Sequence, residues 1–142
     1  MKVKKGARIA IVVSEYNPEI TDALYASCVD ELLHHGVAEK NIERALVPGA
    51  FELPLACERL AQTKKVDAII ALGCIIKGQT PHFDYIAFAV AQGIMTISLQ
   101  SRIPVVFGVL TTHNARQARA RIRSGSRGDK GKEAAITALK MI

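Results

Sequence analysis

No apolar run in this 142-residue chain approaches the ~18 residues of a bilayer span, so no membrane partner is expected. The opening "MKVKKGARIAIVVSEYN" is basic and then apolar. Its apolar stretch is only about six residues, and no small-residue cleavage site follows, so a signal peptide is not expected. Cysteine is scarce: Cys28, Cys57 and Cys74 lie far apart without C-x-x-C spacing, each in an apolar context. They read as reduced, buried thiols, which suits a cytoplasmic location. Internal repeats, low-complexity stretches and linkers are absent, and the length fits a single domain over 1–142. Acidic residues are outnumbered, 13 Asp and Glu against 19 Lys and Arg, for a formal net charge of +6. That balance favours anionic partners modestly. Much of the excess sits in "ARQARARIRSGSRGDKGK", so the charge is local.

What the chain does contain is a 49% hydrophobic complement, enough for a real core, arranged in an alternating pattern. Four short apolar runs read as strands: "RIAIVV" (8–13), "IERALV" (42–47), "DAIIALGC" (67–74) and "PVVFGVL" (104–110). All but the second are nearly continuous in apolar character, as strands buried on both faces should be. Helical spacing fills the intervals. "ITDALYASCVDELLHHG" puts Ile20, Leu24, Cys28 and Leu32 on one stripe and ends at Gly36, placed as a C′ glycine. "AFELPLACERLAQTKK" is a second helix, with Pro54 tolerable only near its first turn. A third runs from about His82 to Gln100, and two more cover about Asn114–Arg123 and Lys130–Ile142.

Strand–helix alternation predicts an α/β fold, a parallel sheet with helices on both faces. Ligands then bind beyond the carboxyl ends of the strands. Those ends lead into "SEYNPE", "PGAFE", "IIKGQTPHFD" and "TTHN", so Tyr16, Asn17, Glu52, Gln79, Thr80, His82, Asp84, Thr111, Thr112 and His113 converge on one edge.

The third of these loops nearly matches a phosphate-binding P-loop. Gly73-x4-Gly78-Gln79-Thr80 lacks the lysine that would hold the β- and γ-phosphates, and Lys77 falls one position early. A glycine-bearing loop at a helix start still offers backbone N–H groups to an anion. His82, at the start of the third helix, is either a capping histidine or a general acid–base. Glu52 either serves a helix dipole or accepts substrate N–H and O–H groups. Tyr16 and Phe107 suit a core or a stacking role, and Tyr16, before Asn-Pro in a strand-end loop, is better placed to stack. In "RQARARIR", helical geometry of ~100° per residue groups Arg116, Arg119 and Arg123 on one flank, a solvated or intersubunit face, and isolates Arg121 opposite. A nucleic-acid role would need aromatic interleaving that this run lacks, and no nucleic acid is expected.

"EYNPEIT", "VPGAFELPLA", "ALGCIIKGQTPHFDYI", "PVVFGVLTT" and "GDKGKEAA", in that order and over essentially the whole chain, resemble the successive signatures of the lumazine synthase family. The pairing of "PGAFELP" with G-x-T-x-H-F-D-Y is highly specific. The resemblance implies a flavodoxin-like three-layer α/β/α sandwich with a four-stranded parallel sheet. It implies condensation of 5-amino-6-(D-ribitylamino)uracil with 3,4-dihydroxy-2-butanone 4-phosphate to 6,7-dimethyl-8-ribityllumazine, phosphate and water, with no metal or other cofactor. By the same resemblance His82 is the acid–base residue. Gln79, Thr80, Arg121 and Lys130 bind phosphate. Tyr16, Asn17, Ala50, Phe51, Glu52, Cys74, Ile75, Ile76 and Phe107 contact the pyrimidine and ribityl chain. Phe107 comes from a neighbouring subunit, whereas Arg121 is expected to face Gln79 and Thr80. Partners implied are the small-molecule substrates, further copies in a pentamer or pentamer-based shell with interfacial sites, and riboflavin synthase. The sequence departs from the family pattern in Tyr16, where Phe or Trp is more usual, in Lys77 for Arg, and in a "RSGSRGDKG" loop one residue longer than the common form. A binding module that has lost catalysis is the competing reading, and intact His82 and Arg121 argue against it.

Overall fold

The computed structural model describes residues Met1–Ile142. Four parallel strands, β1 (Ile9–Ser14), β2 (Ile42–Val47), β3 (Ala68–Ile76) and β4 (Val105–Thr112), form one sheet in the order β2-β1-β3-β4. Ile9 pairs with Ile42 on one side and Ala68 on the other, and Ile69 pairs with Val105. This is the flavodoxin-like winding, in which the chain runs from β1 to one side and then returns to the other.

Alternate residues of the central strands serve opposite faces, as the two-residue period of a strand requires. Ile9, Ile11 and Val13 pack with Ile20, Leu24, Cys28 and Leu32 of α1 (Pro18–His34) and with Ala135, Ala138 and Leu139 of α5 (Lys130–Lys140). Ala10 and Val12 pack with Leu53 and Cys57 of α2 (Leu53–Gln62) and with Val90 and Ile94 of α3 (His82–Ser101). The result is the expected three-layer sandwich. Its central strands are sealed on both sides, which explains their unbroken apolar runs. The three cysteines are free and buried. Burial pushes the Cys28 and Cys57 thiols up to about 12. Gly36, with φ at 87°, follows α1 as its C′ residue, as its sequence position predicts.

Helix boundaries differ from the sequence reading most at the second, fourth and fifth helices. The second helix does not begin at Ala50: Ala50–Glu52 form a 3₁₀ turn and α2 starts at Leu53, so Pro54 falls in the first turn where its missing N–H is harmless. The final helix stops at Lys140 rather than Ile142. The helix expected to reach Arg123 is only α4 (Ala115–Arg119). Asn114 caps it by accepting from the Gln117 N–H, but the chain then leaves helical geometry, reaching φ 63° at Ser124.

Helices α1 and α5 approach so closely that a β-carbon on Gly131 would collide with the Leu24 carbonyl. Both partners there are backbone or first-turn helix, which cannot swing aside as a side chain can. Gly131→Ala should therefore lower stability by roughly 1–3 kcal/mol, read as a reduced urea midpoint at unchanged slope. An unchanged midpoint would show that the helices separate freely.

Candidate active site

The order β2-β1-β3-β4 makes the chain diverge to opposite sides of β1, leaving a crevice between the carboxyl ends of β1 and β3. Asn17 bridges it. Its backbone is left-handed, φ 60° and ψ 58°, and its side-chain amide donates to the Cys74 carbonyl at 2.9 Å. Asn tolerates this conformation better than most residues. The turn also exposes Tyr16, which is 70% accessible.

Around this bridge lies a cleft of about 850 Å³ lined by Tyr16, Asn17, Gly49, Ala50, Phe51, Glu52, Cys74, Ile75, Ile76, Gly78, Thr80, His82, Phe83 and Ile86. Three of the four strand-end loops foreseen from the alternation thus meet, whereas Thr111, Thr112 and His113 of the fourth do not line this cleft. Glu52 is exposed, and its carboxylate folds back over Gly49, where a β-carbon would lie 3.0 Å from Oε2. Burial pushes the Cys74 thiol up to about 11, so Cys74 acts as wall and carbonyl acceptor and not as a nucleophile. His82 is the first residue of α3 and exposed, and its backbone N–H donates to Thr80 Oγ1 at 3.4 Å. The imidazole has no hydrogen-bond partner in the chain. The backbone N–H groups of Gly78, Gln79 and Thr80 also lack an acceptor in the chain, whereas Lys77 N–H is engaged by Thr112. Gln79 is exposed in this loop without lining the cleft. Phe83 and Ile86 line it without having been singled out. Their spacing on α3 with Val90 marks an inward face, which a count along the helix would have shown.

Phe107, Arg121 and Lys130 lie elsewhere. They line a second cleft of about 600 Å³ along the unpaired edge of β4, between α3 and α5, with Thr111, Thr112 and Glu133 among its walls. The two clefts share no residue. Arg121 therefore does not share a cleft with Thr80 of its own chain, contrary to the sequence reading. The reason is topological: the Gly78–His82 loop leaves β3 toward the α2/α3 face, whereas Arg121 follows the outermost strand. Arg121 and Lys130 are nonetheless neighbours, because Lys130 N–H donates to the Arg121 carbonyl at 2.9 Å. Lys130 Nζ rests on Glu133 Oε2 at 2.7 Å. Of the other arginines on the predicted flank, Arg116 is exposed without a side-chain partner, but the remaining two are engaged. Arg119 pairs with Glu19 through Nε at 2.9 Å and Nη2 at 3.3 Å, and Arg123 binds Asp30 and Ser27. The hydrogen bond and charge of Arg119 hold the Glu19 carboxyl below its usual range.

The family model described as 6,7-dimethyl-8-ribityllumazine synthase matches residues 6–142. The chain belongs to the 6,7-dimethyl-8-ribityllumazine synthase family. It is 54% identical over 132 residues to the 6,7-dimethyl-8-ribityllumazine synthase of Cytophaga hutchinsonii, covering 93% of this chain and 82% of that one. To the protein of the same name from Porphyromonas gingivalis it is 50% identical over 137 residues, 96% of this chain and 84% of that one. Membership makes the chain a transferase of riboflavin biosynthesis, a lumazine-forming enzyme.

In this lumazine synthase fold, Asn17 is held by its own chain as well as facing the cleft. Asn17→Gly should remove the bridge to Cys74 but keep the left-handed turn, whereas Asn17→Ala should lose both. The alanine variant should be less stable than the glycine variant by roughly 1 kcal/mol in urea unfolding. The reverse order would mean that the turn relaxes without cost.

Proposed function

We propose that one active site is assembled from both clefts, the crevice of one copy closed by the β4-edge cleft of the next. The observation that carries this reading is the partition itself. Tyr16, Glu52 and His82 line one cleft, and Phe107, Arg121 and Lys130 the other. In this reading the amine of 5-amino-6-(D-ribitylamino)uracil condenses with the carbonyl of 3,4-dihydroxy-2-butanone 4-phosphate, phosphate and water leave, and the ring closes. Tyr16 stacks on the pyrimidine, with Phe107 of the adjacent copy closing the pocket. The Ala50–Glu52 turn and Asn17 contact the ring and ribityl chain, and the Cys74–Ile76 strand end forms the floor. His82 moves protons through imine formation, elimination and cyclisation, a role supported by its exposed, unpartnered imidazole at the cleft. The unengaged N–H groups of the Gly78–Thr80 loop, Gln79 included, cradle the phosphate, and Arg121 and Lys130 from the neighbour neutralise it.

A homo-oligomer, a pentamer or a pentamer-based shell, is part of the same proposal. On α3, Tyr85, Phe88, Met95 and Leu99 are 73%, 71%, 59% and 71% exposed. Their spacing is that of a heptad seam, which water-facing helices do not keep and which a second copy would cover. The β4 edge, with Phe107 at 43% exposure, is likewise unpaired. No helix is long and apolar enough to cross a membrane. Buried free thiols fit a reducing cytoplasm, and riboflavin synthase, which would take the lumazine product, is the protein partner this reading implies. A nucleic-acid role is opposed by the engagement of Arg119 and Arg123 with α1.

The deciding experiment mixes the purified chain with both substrates and follows lumazine absorbance. His82→Ala should lower turnover by about 10²-fold, the low end for a general acid–base since the amine and carbonyl also react unaided, while phosphate-ligand binding persists. Unchanged turnover would return His82 to a capping role. Sedimentation coupled to the same assay should find activity only in assemblies of at least a pentamer. A fully active monomer would overturn the two-copy site.

A further inference from the structure

The arginine segment after β4 holds more order than phosphate binding needs from one residue. Residues 120–129 have no regular secondary structure. Two backbone bonds close the base of this loop, Arg127 N–H to the Ala120 carbonyl at 2.7 Å and Lys130 N–H to the Arg121 carbonyl at 2.9 Å. On either side of Arg121 a side chain reaches back to α1. Arg119 grips Glu19 in the first turn of α1 with two parallel bonds, and Arg123 reaches Asp30 and the buried Ser27 hydroxyl. Glu19 and Asp30 lie about 16 Å apart along the helix axis at 1.5 Å per residue. The segment is therefore laid along α1 and fixed at two separated points. Arg121, midway, faces the β4-edge cleft, where its Nη1 donates to the Gln117 carbonyl at 2.8 Å.

We propose that Arg119 and Arg123 are positioning residues that hold Arg121 and Lys130 in register for the phosphorylated substrate. The inference rests on the functional reading above, in which Arg121 and Lys130 bind phosphate. Both ion pairs are solvent-exposed, Arg119 and Glu19 at 56% and 66% and Arg123 and Asp30 at 51% and 65% of their side-chain surface. Exposed pairs of this kind add little to global stability. Their contribution is local: beyond the Ile122 side chain against the core and a few turn bonds, the segment carries no regular hydrogen-bonded structure, and a guanidinium misplaced by an ångström loses its fork geometry on phosphate. Removing the pairs should therefore leave the fold intact and weaken one substrate selectively.

The test is the full-length double variant Arg119→Gln/Arg123→Gln, assayed with each substrate varied in turn. KM for 3,4-dihydroxy-2-butanone 4-phosphate should rise roughly five-fold, the scale of two exposed ion pairs, while kcat and KM for the pyrimidine amine stay within about two-fold. The charge swap Glu19→Arg/Arg119→Glu should restore most of the affinity lost in Arg119→Glu alone. Amide exchange by NMR should show faster exchange at Arg127 and Lys130 in the double variant, with core strand amides unchanged. If those two amides exchange as in the wild type, or if both KM values and kcat shift together, the proposal is overturned. A wild-type chain that forms no lumazine would instead end the functional reading, and the exchange data would still decide whether Arg119 and Arg123 hold the loop.

Discussion

Strand β1 must pair on both edges and pack on both faces, and the rest of the molecule follows from that constraint. Residues Ile9–Val13 are almost wholly inaccessible, hydrogen-bonded to β2 on one side and β3 on the other. A strand so enclosed can carry no charge, and the connections leaving it must diverge, one to each side. The divergence opens the crevice, and Asn17 spans it. The side-chain bond from Asn17 to the Cys74 carbonyl is thus a consequence of the topology as much as a feature of the site.

The chemistry is divided in the same way. Groups suited to proton transfer and ring contact follow β1, β2 and β3, while cations suited to phosphate follow β4. Within one chain these halves do not meet. In the proposed reading a single copy carries two incomplete sites, each lacking what the other offers. The apolar seam on α3 is exposed and the β4 edge is unpaired, and the proposed assembly would cover both. The segment from Arg119 to Arg123 sorts its arginines by partner: Arg119 and Arg123 neutralise acids of α1, and Arg121 keeps most of its donors for the cleft.

Much of the fold was legible because its signals are local and redundant. The stripe Ile20, Leu24, Cys28 and Leu32 and the runs around Ile9 and Ile69 report burial directly, and Gly36 marks a helix end by its left-handed φ. Convergence of Tyr16, Glu52 and His82 follows from strand–helix alternation, which places the carboxyl ends of parallel strands on one edge. Less legible was the end of α4. "RQARARIR" has good intrinsic helix formers, and nothing local requires the helix to stop at Arg119. It stops where the side chains of Arg119 and Arg123 both reach α1, a tertiary interaction that competes with propagation of so short a helix. The start of α2 departs from the sequence pattern for a related reason: Ala50–Glu52 tighten into a 3₁₀ turn over the crevice.

The amino-acid sequence by itself determined the strand–helix alternation, the core stripes, the sheet edge that carries the polar loops and, through its ordered motifs, the family. These are properties of neighbours in the chain, written in periods of two and 3.6 residues. Only the tertiary structure decided that Arg121 and Lys130 sit beside each other but not beside Thr80, that Arg119 and Arg123 are bound to α1, and that Asn17 holds the crevice together. Each of these depends on where residues distant in the chain are brought by packing, and a side chain's partner across such a distance leaves no periodic trace in the sequence.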